Sequence, residues 1–136
     1  KQMKLPVQHI TFEITQECNL SCIYCYNYWR RNNYKPYPTT IKDSLKTISR
    51  IFKAIEFQHI TITGGEPFLA EGLDEIVLKC RMKRKGVNII TNGTAAKPSS
   101  YKMLTDLGVS LFEIPFHSAN PDIHDSMTGC GYDFQI

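Results

Sequence analysis

No stretch of this sequence approaches the ~18–20 consecutive apolar residues of a helical membrane span, so no segment reads as membrane-crossing. Charge of one sign is equally scarce. Sixteen basic against 13 acidic residues leave a net charge of +3, too mild a balance to call for nucleic acid as a partner. Repeats and low-complexity tracts are absent, which argues against a solenoid or a fibrous chain. A second C-x2-C pair, the usual companion in a structural zinc site, is also missing. What remains is an ordinary globular composition, 42% hydrophobic and 21% charged over 136 residues, enough for one domain with a core. The chain opens on Lys1 rather than Met. A start inside a longer polypeptide is therefore expected, and the lack of a signal peptide carries no information.

Cysteine is the residue present in a telling pattern. There are five, and Cys18, Cys22 and Cys25 follow one another at C-x3-C-x2-C spacing. An odd count with three crowded together reads as a metal site in a reducing, cytoplasmic compartment rather than a disulfide framework. Sulfurs so spaced reach one small centre only if the segment wraps as a loop, since an extended chain advances ~3.3–3.6 Å per residue. Iron–sulfur clusters take thiolates almost exclusively, and a cubane normally has four protein ligands. Three leave one iron open to a substrate or cofactor. The competing assignment is structural zinc, with His9 or His59 as fourth ligand. Cys80 lies on an apolar helix face and reads as core, and Cys130 as an incidental surface thiol in a Gly-flanked loop, with a fourth ligand or a reactive group as the alternative.

Around that loop the sequence alternates strands and helices. Val7 to Thr15 is β-rich and reads as the first strand. Residues 26–38 are turn-like and aromatic, with Tyr26, Tyr28, Trp29, Tyr34 and Tyr37. A helix is predicted over 41–56, capped by Thr39 or Thr40, with Ile41, Leu45, Ile48, Phe52 and Ile55 on one face. The second strand is 59–63, breaking at Gly64-Gly65-Glu66-Pro67. The second helix is 73–85, with a basic end stopped by Gly86. The third strand is 87–91, before Asn92-Gly93-Thr94. Pro98 opens a third helix to Leu107, ended by Gly108, and 109–116 is the fourth strand. From His117 the reading is a long loop with one helical turn, starting at Asn120-Pro121-Asp122.

Strands separated by helices of this length run parallel with right-handed crossovers. The loops after the strands then emerge at one edge, where ligands bind in such sheets. The cysteine loop, Gly64 to Pro67, Asn92 to Thr94 and the loop from His117 are thus expected together. Gly64 and Gly65 offer close approach to backbone, and Glu66 offers a carboxylate to an ammonium group. GGEP lacks the lysine of a phosphate loop, and its anion repels phosphate. Asn92 reads equally as a turn-former before Gly93. His117, His124 and Asp125 suggest acid–base work, but local hydrogen bonds that fix the loop are the better reading. The aromatic, basic run 26–35 is expected to shield the site from water, with RNA or peptide binding as the weaker alternative.

Taken together, the Cys18–Cys25 loop, Gly64-Gly65-Glu66-Pro67 and Thr91-Asn92-Gly93-Thr94 resemble the radical S-adenosylmethionine (radical SAM) enzymes. The run from Ile114 to Gly129 looks like the corresponding segment of the branch with SPASM or Twitch auxiliary-cluster domains, which includes many peptide- and protein-modifying enzymes. The resemblance implies a partial (βα)6 TIM-like barrel, of which this α/β chain would be the first part, a parallel sheet of about four βα units. It implies a 4Fe–4S cluster on Cys18, Cys22 and Cys25, with SAM chelated at the open iron. Gly64, Gly65 and Glu66 would receive the SAM ammonium, Tyr24 would lie near the adenine, and Asn92 is a further candidate contact. The activity implied is reductive cleavage of SAM to a 5′-deoxyadenosyl radical for hydrogen abstraction. The partners implied are a reductant such as flavodoxin or ferredoxin and a peptide or protein substrate. Two positions depart from the family: Pro115 stands where Ser is common and Thr128 where Arg is common. Residues 1–136 are expected to be the N-terminal portion of the core, truncated before strands five and six. An exposed edge on strand four, prone to self-association, follows from that. The alternative function is a non-catalytic fragment or degenerate domain acting as a binding or assembly module.

Overall fold

The computed structural model describes residues 5–27 and 35–129. Cys130, the aromatic positions Tyr28, Trp29 and Tyr34, and the terminal Phe134-Gln135-Ile136 lie outside the described residues. Two short strands, β1 (Leu5–Pro6) and β3 (Ile55–Glu56), pair in parallel beside the main sheet. The main sheet holds β2 (His9–Thr15), β4 (His59–Gly64), β5 (Gly86–Ile90) and β6 (Val109–Glu113), in that order and all parallel. Between them run α1 (Ile41–Ala54), α2 (Leu73–Met82) and α3 (Pro98–Asp106), and α4 (Pro121–Thr128) follows β6.

The strands explain why the helices cover one face only. His9-Ile10-Thr11-Phe12-Glu13-Ile14-Thr15 and His59-Ile60-Thr61-Ile62-Thr63 alternate polar with apolar. A doubly wound parallel sheet is buried on both faces and reads as continuous apolar runs, whereas alternation leaves one polar face, as in the wall of a barrel. Phe12, Ile14, Ile60, Ile62, Val87 and Ile89 pack against Ile48, Ile76, Val77, Cys80 and Leu104 of the helices. Cys80 is a core residue, as its helix position predicts. The opposite face carries Thr11, Glu13, Thr61 and Thr63, in register across β2 and β4.

Several element ends differ from expectation. α1 stops at Ala54 because Ile55 turns extended to join β1. Thr40 is its cap, with Oγ1 accepting from Asp43 N at 3.2 Å. α2 ends at Met82, and its stop is Arg84, not Gly86. Arg84 adopts φ 57, with Arg84 N donating to Arg81 O and Lys85 N to Cys80 O. These are the paired bonds of a Schellman motif with its left-handed residue non-glycine, and Gly86 is free to begin β5. The fourth strand ends at Glu113, and the single helical turn expected after His117 is an eight-residue helix, α4. Asn120 Oδ1 caps α4 through Asp122 N and Ile123 N, and Gly129 ends it at φ 73. β6 is an edge strand, with Leu111, Ile114 and Phe116 exposed along and beyond it. Among the described residues no helix is long and apolar enough to cross a membrane.

Candidate functional site

The three cysteines follow β2, at the C-terminal edge of the sheet. The register between β2 and β4 slips between Glu13 and Thr15, a bulge that bends β2 as it leaves the sheet. Gly64 (φ 148) and Gly65 receive the departing chain. A Cβ on Gly64 would stand 2.3 Å from Thr15 O, and one on Gly65 2.0 Å from Glu17 O. Gly65 N donates to Thr15 O at 2.8 Å and Glu66 N to Glu17 O at 2.7 Å. The close approach that glycine permits here is thus used first by the chain itself, to seat the root of the cysteine loop.

The far side of the loop rests on α4. Ser21 N donates to Thr128 O at 3.3 Å and Ile23 N to Met127 O at 2.9 Å, which satisfies two of the carbonyls a helix C-terminus leaves open. A Cβ on Gly129 would meet Ser21 O at 2.8 Å. The Tyr24 ring lies 4.3 Å from that of His117, and the His117 ring 5.8 Å from that of His124. His117 N faces His124 Nδ1 at 3.4 Å, in line with the local hydrogen bonding expected of this loop. His117 Nε2 and Asp125 Oδ1 are enclosed without a partner among the described residues.

Cys18, Cys22 and Cys25 are partly exposed and line one cleft with Tyr24, Gly64, Gly65, Asn92 and Pro115. Seven of the eight expected site residues therefore meet. Glu66 is the exception: its side chain is fully buried and does not line the cleft. Its Oε1 accepts from Thr91 Oγ1 at 2.7 Å and Phe68 N at 3.0 Å, and Oε2 from Asn92 N at 2.7 Å. Burial pushes the Cys22 thiol up; a Tyr24 hydrogen bond lowers it, and the Cys18 and Cys25 charges raise it again.

A cationic metal core would offset the Cys18 and Cys25 charges at Cys22. Among the described residues no three His, Cys, Asp or Glu side chains converge on a single ion, whereas a cluster of several irons takes its thiolates at separate corners. The donor set fits a cluster. Zinc held with His9 or His59 does not fit, because both begin strands whose other ends carry the site, roughly 20 Å away for seven residues. His9 Nε2 instead bonds Thr61 Oγ1 at 2.8 Å. Tyr26, treated in sequence only as part of the aromatic run, also lines the cleft. Its hydroxyl donates to Glu13 Oε1 at 2.9 Å, and burial followed by the Glu13 contact pushes it up to about 12. Its place directly after Cys25 was the available signal.

A one-sided parallel sheet with three thiols lining one cleft at its C-terminal rim is the arrangement of a barrel-type α/β protein. The chain belongs to the radical SAM superfamily, whose profile matches residues 12–136, a family of catalytic proteins that use a 4Fe–4S cluster and SAM. It is 32% identical over 127 residues to the "Antilisterial bacteriocin subtilosin biosynthesis protein AlbA" of Bacillus subtilis, covering 89% of this chain and 27% of that protein. It is 27% identical over 124 residues to the "GTP 3',8-cyclase" of Aquifex aeolicus, covering 89% and 38%. Streptococcus suis SuiB, solved bound to precursor peptide SuiA, superposes with a TM-score of 0.74 at 18% identity, covering 94% of this chain and 28% of that one. The chain thus spans well under half the length of these relatives. The expected family and fold class are both borne out.

Proposed function

We propose that this chain is the part of a radical SAM enzyme that holds a 4Fe–4S cluster through Cys18, Cys22 and Cys25, with SAM beside it. The observation that carries the reading is one cleft lined by all three thiols together with Gly64, Gly65 and Tyr24. When bound, the cluster supplies the electron that cleaves SAM to methionine and a 5′-deoxyadenosyl radical able to take a substrate hydrogen. The protein's own work is placement. Cys18, Cys22 and Cys25 would hold the cluster with three thiolates, leaving room at it for SAM. Backbone carbonyls of the Gly64–Gly65 turn lie at the cleft and are suited to accept from an ammonium, whereas the Glu66 side chain is fully buried and does not line it. Tyr24, held against His117, offers a ring face for the adenine. A peptide or protein substrate is supported by two relatives, one in bacteriocin biosynthesis and one bound to a precursor peptide. The electron would come from a low-potential reductant such as flavodoxin or ferredoxin.

Anaerobic reconstitution with iron and sulfide should give about four irons per chain and reductant-dependent 5′-deoxyadenosine from SAM. A Cys18→Ala, Cys22→Ala, Cys25→Ala triple variant should lose both. A full complement of zinc with no iron uptake would overturn the reading. A second reading, a domain that binds without turnover, draws on the two departures. Pro115 lines the cleft without an N–H, and Thr128 is buried with Oγ1 on Asp125 O at 3.4 Å, so neither supplies a donor charge for a carboxylate. Cluster and SAM binding with no 5′-deoxyadenosine would select it.

A further inference from the structure

We propose that Asn92 is a positioning residue for the cluster ligand Cys18, acting on the sulfur through its side-chain amide, rather than a contact for SAM. The inference rests on the cluster reading given above. A primary amide has two N–H donors and two acceptor lone pairs, and at Asn92 all four directions are taken. Nδ2 points to Asn19 Oδ1 at 2.9 Å and to Cys18 Sγ at 3.9 Å. Oδ1 accepts from Thr94 N at 2.9 Å and Thr94 Oγ1 at 2.8 Å. Asn19 Nδ2 donates in turn to Thr94 Oγ1 at 2.9 Å, closing a ring of three side chains across the mouth of the cysteine loop.

The ring also fixes which way the amide faces. Reversed, the oxygen would oppose Asn19 Oδ1 and the NH2 group would oppose the Thr94 N–H, so only one orientation satisfies every member. Its anchor is the fully buried Glu66, which takes Asn92 N at 2.7 Å and Thr91 Oγ1 at 2.7 Å. The GGEP turn and the end of β5 thus converge on one N–H aimed at one ligand sulfur. Hydrogen bonds to ligand sulfurs stabilise the more negative, reduced form of a cluster and orient the thiolate that carries it.

The test uses the reconstituted chain without SAM, followed by SAM titration. Asn92→Ala removes the side-chain donor and leaves Leu20 N, which also donates to Cys18 Sγ at 3.5 Å, and Asn92→Asp keeps the shape while replacing the side-chain donor with an anion. The SAM-free cluster should show an altered EPR spectrum, with a midpoint potential more negative in Asn92→Ala and more negative still in Asn92→Asp. Asn19→Ala should move it the same way by less, since Asn92 loses one of its four partners. SAM affinity, read from the SAM-induced EPR change, should follow the cluster and not fall independently. Poor iron retention in Asn92→Ala, with the wild type fully loaded, also supports a role on the ligand, because loading needs no SAM. A SAM-free spectrum and potential identical to wild type in both Asn92 variants, with or without weaker SAM binding, would overturn the proposal. Wild-type chain that takes up no iron would instead defeat the cluster reading beneath it.

Discussion

At the N-terminal edge of the sheet, His9 Nε2 bonds Thr61 Oγ1, and Lys85 Nζ reaches Glu56 Oε1 at 2.9 Å, Phe57 O, and the Phe57 ring at 4.9 Å. At the C-terminal edge, His117 Nε2 and Asp125 Oδ1 are enclosed without partners among the described residues, and three thiols line one cleft. Both edges hold histidine, charge and glycine. What separates them is where bonding capacity goes. The first edge closes its polar groups on its own chain and is a structural seam. The second spends its glycines, its buried carboxylate and the end of a helix on holding a loop whose three sulfurs line one cleft.

Glycine gives the sharpest way to break this comparison. At the site edge, Gly65→Ala drives a Cβ into the Glu17 carbonyl at 2.0 Å, backbone that has nowhere to go. We expect a loss of about 3 kcal/mol or more in urea unfolding, with iron uptake lost in whatever folds. At the other edge, Gly86→Ala meets His59 Nδ1 at 2.3 Å, an exposed ring that can swing aside. The cost there should be about 1 kcal/mol, with iron uptake untouched. Equal effects on iron from the two variants would erase the distinction between the edges.

Lys85→Ala comes next. It removes a cation that bonds Glu56 and the Phe57 carbonyl and lies over the Phe57 ring, with 14% of the side chain exposed. About 1–2 kcal/mol of stability should go, and cluster loading should not change. A loading defect here would mean that the seam reaches the site.

The smallest effect is expected from Tyr26→Phe. Burial holds the Tyr26 hydroxyl up to about 12 against an ordinary 10.0. Its folded-state value is the higher one, so its contribution is fully present below about pH 10 and is lost as pH rises toward 12. Thermal unfolding of the variant should therefore be flatter than wild type across that alkaline window and close to it at pH 7. A difference confined to acid pH would contradict this assignment.

Much of the fold was legible because it is written in period and punctuation. The alternation in 9–15 and 59–63, the helical spacing of Ile41, Leu45, Ile48 and Phe52, and the Asn120-Pro121 start each act within one element. Arg84 was not legible as a helix stop, since left-handed backbone at arginine has no compositional mark and Gly86 stood nearby as the conventional candidate. In the site, the cysteine spacing declared the donors directly. The use of Gly64 and Gly65 against Thr15 and Glu17 was hidden, because the chain's own return path competes with any ligand for that space. Asn19 and Thr94 were hidden for another reason: their side chains meet Asn92 and each other across the loop mouth from positions far apart in the sequence.

The bonds from Ser21 and Ile23 to the last carbonyls of α4 have a consequence in time. Cys25 precedes Gly129 in the sequence, so the thiols are made well before the shelf that supports their loop is finished. At ~5–20 residues per second of synthesis, the gap of roughly 100 residues leaves the three sulfurs without that support for about 5–20 s in each new chain. On the proposed cluster reading, iron delivery would have to wait out this interval or guard it, and a peptide cut to the cysteine loop alone would remain permanently in the unfinished state.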